Sequence, residues 1–230
     1  MTPRPRLWEI DALRGIAVVA MMFFHFMWDL WFFGMTSQDI PGPAWQTFAR
    51  SIGGTFTFLL GLSVVLSVAS FRRRGLSPWG PLIRRGFVII GCGMIITLGT
   101  LWFAPAEYVR FGILHHAGVA LLLCLLFVSA PPWLCVVVGA LVAWFGFWIA
   151  PGVDVNTAWL LPFGLYPRGL GMVDYYPLAP WFGVALFGMA AGKVLYRDGE
   201  RRFSLVDAGP NVLIDALRFL GRNSLAVYLI

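Results

Sequence analysis

Residues 7–33 read LWEIDALRGIAVVAMMFFHFMWDLWFF. The run is long and apolar enough to enter a bilayer, which a helix of about 20 residues crosses. It nevertheless carries Asp11, Arg14, His25 and Asp29. At about 100° per residue these four fall within about 60° of one another on a helical wheel. A membrane helix with one ionisable stripe must turn that stripe away from lipid, because such a group costs at least ~2.5 kcal/mol at the bilayer centre. The rest of the chain is read as what surrounds this helix.

Composition agrees. Of 230 residues, 59% are hydrophobic and only 12% charged, where a soluble domain carries about 25% charged residues. This excludes an ordinary soluble protein. It predicts an all-α, polytopic membrane helix bundle, one domain over residues 1–230 with about seven transmembrane helices. The net charge of +6 sits in short loops between apolar segments, so topology accounts for it and no nucleic-acid partner is expected, only membrane lipid. Cys92, Cys124 and Cys135 all lie inside apolar runs without CxxC or Cys/His spacing, and read as inert buried thiols. The N-terminus resembles the basic flank of a signal peptide, but the apolar run behind it is too long and lacks a small-residue cleavage site, so it reads as an uncleaved helix.

Further helices are expected at about 50–70, 86–103, 111–129, 133–150 and 177–196, and a seventh begins in ALRFLGRNSLAVYLI. That last segment stops inside an apolar run, so the chain is expected to continue beyond it. The stretch MTSQDIPGPAWQTFAR reads as a loop with an amphipathic turn, and the Gly-, Pro- and aromatic-rich stretch 151–176 reads as a long loop folded against the helices. Arg4 and Arg6, then Arg72, Arg73, Arg74, Arg84 and Arg85, then Lys193, Arg197, Arg201 and Arg202 all fall on one side if the N-terminus is cytoplasmic; the opposite loops carry Arg50, Arg110 and Arg168.

Depth follows from a rise of ~1.5 Å per residue, which places His25 about 16 Å beyond Arg14, near mid-membrane, and Asp29 about 6 Å further outward. Asp29, one turn away, is placed to orient the His25 imidazole and raise its basicity, the pairing used where histidine takes a proton from an attacking amine or hydroxyl. The alternative for Asp11 and Arg14 is an i, i+3 pair that only anchors the helix end. His115 and His116 follow at the outer start of the fourth helix; adjacent positions point about 100° apart, and His115 is the preferred proton-handling or substrate-orienting group. Asp174, with Tyr175, Arg50, Arg110 and Arg168 on the same outer side, is read as the rim of a polar substrate entrance. No Gly-rich nucleotide loop with a lysine, HExxH, GxSxG or carboxylate cluster for a metal occurs in the sequence.

These segments carry a resemblance. EIDALRGIAVVAMMFFHFMWDL, FTFLLGLSVVLS, FGILHHAGVALLL, VDYYPLAPWFGVALFGMAAG and LGRNSLAVYLI resemble, in order, the segments of bacterial membrane proteins grouped with the catalytic domain of heparan-alpha-glucosaminide N-acetyltransferase. The DALRG…H arrangement also looks like the first helix of transmembrane acyltransferases that O-acetylate bacterial polysaccharides, where the residues matching Arg14 and His25 are implicated in activity. The resemblance implies a multi-pass protein of the bacterial cytoplasmic membrane. It would pass an acetyl or other acyl group from cytoplasmic acyl-CoA to an amine or hydroxyl of a glycan on the far side, with acetyl-CoA as co-substrate and no metal. One departure stands out: the lysosomal member has asparagine where His25 stands and its key histidine in the following loop, and GMTSQDIPG here has none. The heparan reaction itself is therefore not carried over.

The expectation is thus an acyltransferase with His25, Asp29 and His115 as catalytic groups. Arg14, Asp11, Arg84 and Arg85 are expected at the CoA end, and Arg50, Asp174, Tyr175 and Arg110 at the acceptor end. The rival reading is a proton-coupled transporter using a His/Asp relay.

Overall fold

The opening run forms helix α1, Trp8–Phe32. No proline or glycine interrupts it after Gly15, and it stops where Gly34 takes up a left-handed conformation, φ 68°. In this computed structural model residues 7–205 and 211–229 are described; Arg4 and Arg6, used in the orientation argument, lie outside them.

Helix α2, Pro43–Arg73, starts earlier than expected. Proline is tolerated in the first turn of a helix, and nothing in AWQTFAR breaks the helix that follows. Trp45 and Phe48 instead pack against Phe23 and Phe24 of α1, with ring centroids 6.0–6.5 Å apart. Helix α3, Trp79–Phe103, likewise absorbs the end of the basic loop, because Pro81 falls within its first turn. Helix α4, Ile113–Leu126, is shorter than expected at 14 residues. Helix α5, Pro132–Trp144, continues through a π-helical turn, Phe145–Ile149, into a 3-10 turn ending at Gly152. The long loop contains a 3-10 turn, Ala158–Phe163.

Helix α6, Leu178–Leu195, runs into a small antiparallel hairpin, Tyr196–Arg197 (β1) with Glu200–Arg201 (β2). The hairpin is an addition to the all-helical expectation. Asp198 and Gly199 link its strands with positive φ, 52° and 77°, as a two-residue hairpin turn requires. The final segment is α7, Val212–Arg222, broken at Asn223 from α8, Ser224–Tyr228. Asn211 caps α7 by accepting from the Leu213 and Ile214 N–H groups. Five described helices are long and apolar enough to cross a membrane: α1, α2, α3, α5 with its extension, and α6.

The chain divides into two compact units, Met1–Leu59 with Leu205–Ile230, and Leu60–Ser204. In the first, α7 packs antiparallel on the start of α1. In the second, α5 packs on α6 and α3 on α4. Small residues set these crossings. Gly86 faces Gly118 between α3 and α4, and Gly139 faces Gly183 between α5 and α6, each backbone within reach of the other glycine. Apolar helices in lipid gain little from hydrophobic attraction, so close backbone approach is the route to packing energy. Leu121, Cys124, Cys135, Ala185, Leu186 and Met189 form the core of this unit.

Candidate functional site

In the first unit the ionisable stripe of α1 divides in two. Its start is covered. A methyl at Gly15 would overlap the Leu217 backbone, and one at Gly221 the Asp11 carbonyl. Beside this crossing Asp11 is buried, and its two carboxylate oxygens accept from different arginines: Oδ1 from Arg14 Nη1 at 3.5 Å and Oδ2 from Arg222 Nε at 3.1 Å. Arg218, one turn before Arg222, pairs with Asp215 at 3.0 Å. Arg14, Arg218 and Arg222 thus lie on this side with Asp11 and Asp215, and an N–H of Arg218 and the indole N–H of Trp8 are buried without an acceptor among the described residues.

The outer half of the stripe is open. α7 has only 11 residues and covers only the first turns of α1, so His25 and Asp29 are exposed. They lie one turn apart on one face. No hydrogen bond joins them; the Phe24 ring stands edge-on to the imidazole, centroids 5.8 Å apart. Arg50 on α2 is also exposed and donates to Gln46 at 3.4 Å.

In the second unit the residues expected at the acceptor side are joined into one framework. The Asp174 carboxylate accepts the Ile113 N–H at 2.9 Å, capping α4 from a loop 61 positions away. Phe111 forms a parallel bridge with Tyr175, and the Tyr176 N–H donates to the Phe111 carbonyl. Arg110 donates to the Gly171 carbonyl at 2.9 Å and stacks over the Tyr108 ring at 4.0 Å. The Tyr175 hydroxyl donates to the Leu161 carbonyl at 2.8 Å. Burial, with Tyr166 beside it, pushes that phenol's pKa up, so it stays a donor. Arg168 pairs with Asp154 on the exposed part of the loop.

His115 is enclosed in the same framework. As the third residue of α4 it reaches back to accept the Gly112 N–H on Nδ1, half of a capping box. Its Nε2 lies 3.3 Å from Thr97 Oγ1, which donates to the Val109 carbonyl at 2.7 Å. Nδ1 is an acceptor and the threonine proton is committed, so the network assigns the neutral tautomer with the proton on Nε2. His116 is fully buried, with the Pro177 backbone beside it, and neither ring nitrogen meets a hydrogen-bond partner of good geometry among the described residues. Of the three histidines in the chain, only His25 presents an open ring.

The basic end of this unit is organised by backbone acceptors. Lys193 donates to the Phe127 and Ala130 carbonyls at the end of α4, and Arg73 to the Asp198 carbonyl of the hairpin turn. Arg84 and Arg85 on α3 are exposed and make no hydrogen bond or ion pair among the described residues. Arg222, Arg218 and Thr97 are not singled out by the sequence, and Lys193 only as a loop cation. The available signals were the Arg–x3–Arg spacing on one face of α7 and two glycines that permit a tight crossing.

The five long apolar helices, with their charged groups gathered at helix ends, define a multi-pass helical membrane protein. Within that class, the profile of the family "Heparan-alpha-glucosaminide N-acetyltransferase, catalytic" matches residues 6–230, and the chain belongs to that family. Human (Homo sapiens) heparan-alpha-glucosaminide N-acetyltransferase is 28% identical over 206 residues, covering 75% of this chain and 29% of the human protein. The mouse (Mus musculus) protein of that name is 32% identical over 127 residues, covering 50% of this chain and 18% of its own length. The chain thus spans less than a third of the curated relatives it matches.

Proposed function

We propose that this protein is a membrane acetyltransferase that moves an acetyl group from acetyl-CoA, supplied at the cytoplasmic side, to an amine or hydroxyl of a glycan on the opposite side. In this reading the N-terminus is cytoplasmic and the membrane is a bacterial cytoplasmic membrane. Family membership and the names of the relatives support the reaction class. The observation that carries the site is that His25 is the one histidine with an open ring, on the same helix as Arg14.

The thioester supplies the activated acetyl group. The acceptor nitrogen or oxygen bonds to the acetyl carbon, the carbon–sulfur bond breaks, and CoA leaves as the thiolate. The acceptor's proton needs a base, and the His25 imidazole takes it. Asp29, one turn on, stabilises the imidazolium that results. At the other end of α1, Arg14 with Arg218 and Arg222 forms a set of guanidinium groups whose paired donors suit CoA phosphates. Arg50 faces the acceptor. His115, Asp174, Tyr175 and Arg110 act by fixing the start of α4 and the long loop.

The test uses the purified full chain in nanodiscs with radiolabelled acetyl-CoA and a panel of amino-sugar and neutral-sugar glycans. Transfer by the wild type that is lost in His25→Ala and kept in Cys92→Ala supports the reading. Absence of CoA binding sinks it, and a proton flux without acetyl transfer favours a transporter.

A further inference from the structure

Helix α3 buries far less of itself than its neighbours: 11% of its apolar span is buried, against 56% for α6. Within its unit it packs chiefly on α4. Phe87, Ile95, Leu98, Trp102 and Phe103 are among its exposed side chains. From Gly86 to Phe103 the helix is about 27 Å long at ~1.5 Å per residue, close to the ~30 Å hydrocarbon thickness of a bilayer. One end of this apolar stretch carries Trp102 and Phe103, 83% and 86% exposed. The other end carries Arg84 and Arg85, with Trp79 one to two turns further out, 45% exposed. Aromatic side chains at both ends and cations at one end are the pattern of a helix that faces lipid along its length.

The two arginines are exposed and have no carboxylate or carbonyl partner among the described residues. Their neighbours in the chain, Ile83, Phe87 and Val88, are exposed and apolar. Cations on a lipid-facing helix at the hydrocarbon boundary extend their heads toward the headgroup layer. The anion within reach there is a lipid phosphate, and a guanidinium fork matches phosphate geometry with paired donors. We propose that Arg84 and Arg85 form a binding site for the headgroup of an anionic phospholipid and do not serve the acyl donor. This site stands whether or not the chain transfers acetyl groups, since it rests on the exposure and charge of α3.

The experiment uses the purified full chain in nanodiscs of phosphatidylcholine with one quarter phosphatidylglycerol. Lipids that remain bound after release into detergent are counted by native mass spectrometry, and CoA binding is measured on the same samples. The wild type is expected to retain phosphatidylglycerol over phosphatidylcholine by roughly ten- to thirtyfold, the preference that two juxtamembrane cations supply. R84Q/R85Q is expected to lose that preference, and R84K/R85K to keep most of it. The single variants R84Q and R85Q lose part of it each, which keeps the test open where the double variant does not fold. No lipid preference in the wild type, or full preference in R84Q/R85Q, overturns the proposal. So does a fall in CoA binding in R84Q/R85Q with the lipid preference intact, which would return the pair to the donor.

Discussion

Arg222 reaches back across 211 positions to donate its Nε–H to Asp11 at 3.1 Å, at the point where Gly221 lies against the Asp11 backbone. The other carboxylate oxygen takes Arg14 from the same helix. Asp11 therefore joins the last helices of the chain to the first, and it holds Arg14 in place as it does so. The short-range Asp11–Arg14 pair and the long-range Asp11–Arg222 pair are one arrangement, since a single carboxylate serves both.

Asp11→Ala should destabilise the first unit by about 1–3 kcal/mol. Removing one partner of a buried pair costs ~3–5 kcal/mol, reduced here because the Arg222 side chain is 40% exposed. Arg222→Gln should cost less, and the double variant should cost less than the sum of the two. Thermal unfolding in detergent reads all three. Strict additivity would mean that the two side chains do not interact.

Gly221→Ala and Gly15→Ala test the same crossing by shape alone. A methyl at either position meets backbone, which has no rotamer into which to retreat. Overpacking of this kind costs about 1–3 kcal/mol. Gly91→Ala on α3 is the control, because nothing lies within 4 Å of its added carbon. A melting temperature for Gly221→Ala equal to that of Gly91→Ala would contradict the helix contact described.

Asp174→Ala removes the cap on the Ile113 N–H and should cost about 1 kcal/mol. Asp174→Asn keeps an acceptor and should cost less. Thr97→Val leaves the His115 Nε2–H and the Val109 carbonyl unpaired in a buried place, a loss of about 1–3 kcal/mol. Amide exchange at Ile113 should accelerate in Asp174→Ala and change little in Asp174→Asn. Unchanged exchange in both would remove the cap from the account.

Some of this was legible in the sequence. The apolar run of α1 and its stripe could be read because a bilayer enforces helix and penalises charge, and both leave a periodic signature. The expected start of α2 is too late because a polar, proline-bearing stretch reads as a loop, and that of α3 because a basic stretch does; Pro43 and Pro81 sit in first turns that tolerate proline. The polar side chains of Asp174, Arg110 and Tyr175 point to polar work near the start of α4. Their partners are backbone groups, Ile113 N–H, Gly171 C=O and Leu161 C=O, which composition does not reveal. The adjacent histidines differ for the same reason: His115 meets Gly112 and Thr97, while His116 is buried with neither ring nitrogen hydrogen-bonded among the described residues. Nothing in the letters HH separates them.

His25 and His115 should therefore fail in different ways when replaced. His25 is exposed and makes no hydrogen bond among the described residues, so His25→Ala should leave the melting temperature within experimental error. If it is the base, acetyl transfer should fall by roughly 10²–10⁴-fold. His115→Ala should lower the melting temperature, because the Gly112 N–H and the Thr97 hydroxyl both lose a buried partner. His115→Gln, which can accept from one and donate to the other, should recover much of that stability and with it the activity. Transfer at wild-type rate in His25→Ala would reject His25 as the base. A stable but inactive His115→Gln would instead place His115 in the chemistry, and the fully hydrogen-bonded ring described here would then have to open during turnover.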